Sequence, residues 1–309
     1  MKQNDAQHWA KQSERGSFLL MRFTLWITQV LGRRLTAPLL YLIVLYFFLT
    51  GRVARHSIRE YYAQLTSWTG NAYSTSSLSI FRQFLAFAES ILDKLDVWHG
   101  RLGLNAVQIH DPHGIRAHIH AAKGRGQLLV GAHLGNLDVC RALAERNQIK
   151  MNVLVHTAHA ERINGLINAN NASNLRLIQV SQLDTAIMLQ LSQRLDAGEW
   201  LAIAGDRVPL QEGRRSEGLF MGKTAVFPQG PWLLAGLLQC PVNLFFCLKI
   251  KGRYQIYLES FVEAVSWQRK TRQQVLDAMV QKYADRLAAH CVLAPQQWFN
   301  FYPFWKANE

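Results

Sequence analysis

The stretch Leu128-Leu129-Val130-Gly131-Ala132-His133-Leu134-Gly135-Asn136-Leu137-Asp138-Val139-Cys140-Arg141-Ala142 decides how the rest of the chain is read. An apolar run ends at Gly131, and from Asn136 onward Leu137, Cys140, Leu143 and Ala144 recur at helical spacing. This pattern predicts a strand, a tight turn and a helix. His133 lies in the turn and Asp138 follows five positions later, with Gly135 and the cap-forming Asn136 between them. On one continuous helix, residues five apart differ by about 140° and cannot face each other. With Asn136 as N-cap, Gly135 supplies the backbone freedom that folds the His133 imidazole back toward Asp138. The carboxylate would then hold one ring nitrogen and leave the other as a general base. Backbone N–H groups at the helix start, near Asn136, would lie close to any oxyanion formed there.

Downstream, strands alternate with helices. Residues 151–157 read as a strand, 162–170 as a helix, 175–180 as a strand, 183–198 as a helix and 200–205 as a strand. Such alternation predicts parallel pairing through right-handed crossovers, hence an α/β fold with a mostly parallel central sheet covered by helices. Ligands in such sheets bind beyond the carboxyl ends of strands, where His133 follows one end and Asp206-Arg207 another. The Arg207 guanidinium suits a phosphate or carboxylate. Arg214 and Arg215 are expected on a mobile loop nearby. Residues 241–249 and 254–261 read as two further strands joined by Lys251-Gly252-Arg253, a turn compatible with antiparallel pairing, followed by an amphipathic helix over 272–291.

Upstream, four histidines, His110, His113, His118 and His120, raise the question of a metal. In Arg116-Ala117-His118-Ile119-His120-Ala121 the alternation favours a half-exposed strand instead, and no metal is expected. Lys123-Gly124-Arg125-Gly126 forms a basic turn before the central strand. Residues 79–97 carry Phe81, Phe84, Leu85, Ala88, Leu92 and Leu95 at helical intervals. The first 16 residues are polar and show no secretory signal. Two apolar runs follow, Ser17 to Leu31 and Leu35 to Thr50, of 15 and 16 residues. A span needs about 20, and basic residues flank both ends of the second run. A monotopic hairpin or interfacial anchor is therefore expected, with a single tilted span as the alternative.

The formal charge of +13 calls for an anionic partner: nucleic acid, an anionic membrane or an acidic protein. No aromatic stacking motif supports nucleic acid. Cys140, Cys240, Cys247 and Cys291 show no ligand spacing and read as reduced core residues. Cys140 lies two helical positions past Asp138 and should face elsewhere.

The His133-to-Asp138 hexapeptide resembles the signature of the lysophospholipid acyltransferase superfamily, and its HLGN form after an apolar strand resembles the bacterial lipid A biosynthesis acyltransferase branch. A second block, Gly205-Asp206-Arg207, then Gly218 to Lys223, then Phe227 to Pro231, is similar to the family's Asp and Arg after a strand, its apolar-Phe-Gly turn and its small-residue helix. The tail from Pro295 through Gln297 and Trp298 to Trp305 resembles the closing Pro, Gln and Trp element. The resemblance covers roughly residues 9 to 305. It implies a glycerolipid acyltransferase-like fold with an anchor at 1–51, a helical connector at 52–100 and the acyltransferase domain at 101–309. It implies transfer of an acyl chain from an acidic acyl carrier protein thioester, or acyl-CoA, to a hydroxyl of a lipid or glycolipid at the cytoplasmic face of a bacterial inner membrane. His133 and Asp138 would be catalytic, while Gly135, Asn136, Asp206, Arg207 and Arg214 would bind substrate, without cofactor or covalent intermediate. Two features depart from the lipid A enzymes: Asp138 replaces a frequent Glu, and Phe299, Asn300 and Phe301 follow Trp298 where basic residues are expected. Both are more similar to acyltransferases of aryl polyene or other specialised lipid pathways. A thioester hydrolase of the same fold and a non-catalytic monotopic lipid-binding protein are the rival readings.

Overall fold

The structure, a computed structural model, describes residues 38–98, 107–120, 124–137, 139, 140, 144, 148–155, 174–208 and 214–305. The apolar run 17–31, Asp138, Lys123 and the helix expected over 162–170 lie outside the described residues.

Two helices, α1 (Pro38–Thr50) and α2 (Arg52–Thr69), meet at Gly51 with a bend of 88°. A Cβ at Gly51 would stand 2.6 Å from the Phe47 carbonyl oxygen, so only glycine lets the chain turn there. Arg55 donates to the carbonyls of Phe48 and Leu49, which satisfies acceptors that the end of α1 leaves open. No single helix among the described residues is long and apolar enough to cross a membrane; α1 and α2 pass that test together, as a bent pair. Tyr41, Leu42, Tyr46 and Leu49 of α1 stay exposed.

The helix expected over 79–97 is α3 (Ser77–Trp98). Ile58, Tyr61 and Leu65 of α2 and Ile80 of α3 are fully buried in the same core as Trp298.

The sheet has seven strands: β1 (Val107–His110), β2 (Leu128–Gly131), β3 (Met151–Val155), β4 (Leu175–Gln179), β5 (Trp200–Ala204), β8 (Val242–Ile250) and β9 (Arg253–Val262). Their order is β1-β9-β8-β2-β5-β3-β4, and five of the six pairings are parallel, the exception being β8 with β9. The central strand β2 is buried at all four positions, as is most of β5 and β8, which is why these segments read as continuous apolar runs. Helices α5 (Thr185–Asp196), α6 (Gly230–Leu238) and α7 (Arg272–Leu293) follow, with the Asp184 carboxylate capping α5 through the Ile187 N–H. A separate hairpin, β6 (Arg215–Phe220) and β7 (Lys223–Pro228), turns at Met221-Gly222, both at positive φ.

One expected strand is a helix. Ile115–His120 forms the short helix α4, because the Asp111 carboxylate accepts from the N–H groups of Ile115 and Arg116 and Gly114 turns the chain into it at φ 68°. Local capping outweighs the two-residue alternation of His118 and His120.

Across the sheet face, Glu259 of β9 accepts from Arg286 at 2.9 and 2.7 Å and pairs with the buried His290 at 2.8 Å. Burial alone would raise its pKa, but His290 and Arg286 outweigh that and bring it down to about 2. A depressed carboxyl stabilises the fold above its ordinary value of 4.5, and that contribution fades as pH falls through about 2. Glu259→Gln should cost roughly 1–3 kcal/mol at neutral pH. It should also flatten the decline of stability at acid pH; denaturant melts of both proteins across that range check this, and parallel curves would refute it.

Candidate active site

Parallel pairing of β2 with β5 sets Gly131 opposite Ala204. His133 and Asp206 each lie two residues beyond those strand ends, so neighbouring strands about 4.8 Å apart deliver their side chains to one place. His133 Nδ1–H donates to Asp206 Oδ1 at 2.8 Å, and the His133 backbone N–H donates to Oδ2 of the same carboxylate at 2.9 Å. One acid thus fixes both the loop and the ring. The carboxylate is nearly sealed, at 3% exposure, while the imidazole is 35% exposed. Burial works against ionising Asp206, yet the charge and hydrogen bonds of His133, followed by the charge of Arg207, hold its carboxyl below the ordinary range. With Nδ1 committed as donor, Nε2 is left as the basic nitrogen. The buried Tyr283 hydroxyl donates to the Gly131 carbonyl at 2.7 Å and secures the strand end beneath.

The loop from His133 to Asn136 is braced by two segments. Gly135 donates its N–H to the Gln297 carbonyl at 2.8 Å, Asn136 donates to the Cys247 carbonyl at 2.8 Å, and the Phe299 N–H donates to the His133 carbonyl at 2.8 Å. The Gln297 side chain bonds both the N–H and the carbonyl of Lys249, and Gln83 of α3 donates to the Trp298 carbonyl. The N–H groups of Gly135 and Asn136 are thus spent on main-chain carbonyls. The Asn136 side chain is buried and donates to the Ser90 carbonyl at 2.8 Å and to the Tyr254 hydroxyl at 3.3 Å. That hydroxyl donates in turn to the buried Asp93, which Lys249 pairs at 2.6 Å. Asn136 therefore ties the loop to α3 and β9.

Arg207 lies one residue past the dyad acid, donates from Nη2 to the Phe299 carbonyl at 3.2 Å and sits 5.9 Å from the Tyr302 ring. Arg214 is grouped elsewhere. It lines a basic cleft with Arg215, Arg269, Lys270 and Arg272, and its carbonyl caps the start of α6 through the Gln229 N–H at 2.8 Å. Arg215 is not on a loop but opens β6, opposite Pro228. Cys140 packs with Val139 and Cys247 against a second apolar cluster, and all four cysteines are free thiols. Among the described residues no three His, Cys, Asp or Glu side chains converge as a metal site.

Asp138, the expected partner of His133, lies outside the described residues, and the partner seen is Asp206. The sequence signal was present: both residues sit at the same offset from the ends of two apolar strands. The brace by Gln297, Trp298 and Phe299 had no such signal, because it depends on a contact 215 residues apart in the chain, from Gln83 to Trp298.

A buried carboxylate orients a partly exposed imidazole beyond parallel strand ends, an arrangement chemically able to accept a proton. Residues 105–307 match the model of the bacterial lipid A biosynthesis acyltransferase family, and the chain belongs to that family of acyl-transferring enzymes. The match begins just before β1 and runs past Trp305, so it takes in the whole sheet and both braces. A search of curated proteins returned no match.

Gly135 has φ 75°, and a Cβ there would lie 1.9 Å from the Cys247 carbonyl oxygen. Gly135→Ala should therefore destabilise the protein by at least roughly 1–3 kcal/mol. An unchanged thermal unfolding midpoint would show that the loop tolerates a side chain there.

Proposed function

We propose that the protein is a membrane-bound acyltransferase that moves a fatty or polyene acyl chain from an acyl carrier protein thioester, or acyl-CoA, to a hydroxyl of a lipid or glycolipid. The His133–Asp206 pair carries this reading. The acceptor O–H gives its proton to His133 Nε2 as its oxygen attacks the thioester carbonyl carbon. The tetrahedral oxyanion then collapses, the C–S bond breaks, and the imidazolium returns the proton to the departing thiolate, leaving an ester and a thiol. Ionised Asp206 fixes the tautomer and offsets the imidazolium charge. Arg207, at the same strand end, supplies a guanidinium for acceptor phosphate or for the developing negative charge. Family membership, the basic charge and the exposed apolar side chains of α1 support work at the cytoplasmic face of a bacterial inner membrane.

His133→Ala should lose about 100- to 10,000-fold in turnover while still folding. Asp206→Asn should lose at least about 100-fold, since an amide no longer selects the Nδ1–H tautomer. The assay is transfer of label from a carrier-protein thioester to a lipid extract, with products resolved by mass. A labelled lipid that depends on His133 supports the reading, whereas free fatty acid alone makes the protein a thioester hydrolase. The HX4D spacing assigns the orienting role to Asp138; if Asp138→Asn reproduces the loss and Asp206→Asn does not, that assignment replaces ours.

A further inference from the structure

A cleft of about 520 Å³ lies between the open end of the β6–β7 hairpin and the start of α7, and five cations line it: Arg214, Arg215, Arg269, Lys270 and Arg272. Among the described residues that line it there is no carboxylate. Its floor is built: the buried Gln229 donates from Nε2 to Ser216 Oγ at 2.7 Å and to the Arg215 carbonyl at 3.2 Å. The first turn of α7 contains no acid and adds the positive end of a 22-residue helix to the same place. None of this charge is used by the dyad.

The cleft lies at the end of the hairpin opposite the one that contacts α2. The turn end of the hairpin is held against α2, where Gln64 donates to the Met221 carbonyl and Lys223 pairs with Glu60. Arg215 starts the other end of β6, five residues or about 17 Å along the strand. From Arg272 to Tyr283, whose hydroxyl bonds the base of the His133 loop, is 11 helical residues, about 16 Å. This places the cations off the expected membrane face and within a flexible thioester arm's scale of the dyad. A large, acidic, soluble partner meets both conditions, and a lipid headgroup does not.

We infer that this basic cleft is the docking site for an acidic carrier protein that presents the acyl chain as a thioester. The inference rests on the donor named above. Its test is binding without turnover: titration of the full chain in detergent with an unacylated bacterial holo-acyl carrier protein, beside the double variant Arg215→Glu/Arg269→Glu, whose side chains are both exposed. Wild type should bind, and more weakly as salt rises. The double variant should bind at least 10-fold more weakly with an unchanged unfolding midpoint, and Arg215→Gln/Arg269→Gln should fall between. Equal affinity of variant and wild type, or no binding by wild type, overturns the proposal, as does a variant that keeps the carrier and loses phosphatidylglycerol vesicles. Carrier binding that persists in a protein showing no acyl transfer would sink the functional reading and leave the docking site standing.

Discussion

Two hydrogen bonds from one residue to one buried carboxylate, His133 N–H and Nδ1–H to Asp206, are the constraint on which the rest of the structure depends. A carboxylate sealed from water is costly unless its acceptors are filled. Here both oxygens are used, with Arg207 adjacent in the chain, and the acid stays ionised. The arrangement requires that β2 and β5 be neighbours in register. That in turn requires the crossover through β3 and β4 to return β5 to a place beside β2. The sheet order thus builds the pair: the imidazole on its turn is oriented only because a strand 73 residues later ends at the same level.

Around that pair, polar groups are arranged to hold geometry rather than to touch substrate. Asn136, Tyr254, Asp93 and Lys249 form a buried chain of hydrogen bonds from the catalytic loop to α3, β8 and β9. Removing one partner from such a network leaves others desolvated and unpaired, so it acts as a unit. The loop needs this support because Gly135 sits in a conformation few residues adopt, against the backbone of β8. Preorganisation of this kind lets a base meet its proton without reorganising.

Much of the fold was legible in the sequence, for reasons that particular segments make clear. Leu128–Gly131 and Trp200–Ala204 are apolar on both faces, and helices alternate with them, which together specify a parallel sheet. The resemblance in the HLGN stretch and in Gly205-Asp206-Arg207 pointed to the family that residues 105–307 match. The site was half legible. His133, Asp206 and Arg207 could be picked out at strand ends, but that Asp206 reaches His133 follows from strand order, which periodicity does not encode; Asp138 lies outside the described residues. The acceptors of the Gly135 and Asn136 amides were illegible for the same reason, since they come from the tail and from β8. Ile115–His120 misled through its alternation, where Asp111 and Gly114 decide the local structure.

The braces of the catalytic loop have a consequence for timing. Gln297, Trp298 and Phe299 are encoded after every strand of the sheet, yet they hold Gly135 and His133. A chain emerging from the ribosome amino end first can assemble the sheet, bring β2 beside β5 and pair His133 with Asp206 before the brace exists. Only when the last segment threads between α3 and β8 is the loop clamped. The His133–Asp206 pair is thus encoded before its brace, and a product interrupted before Gln297 would carry that pair on an unsupported loop.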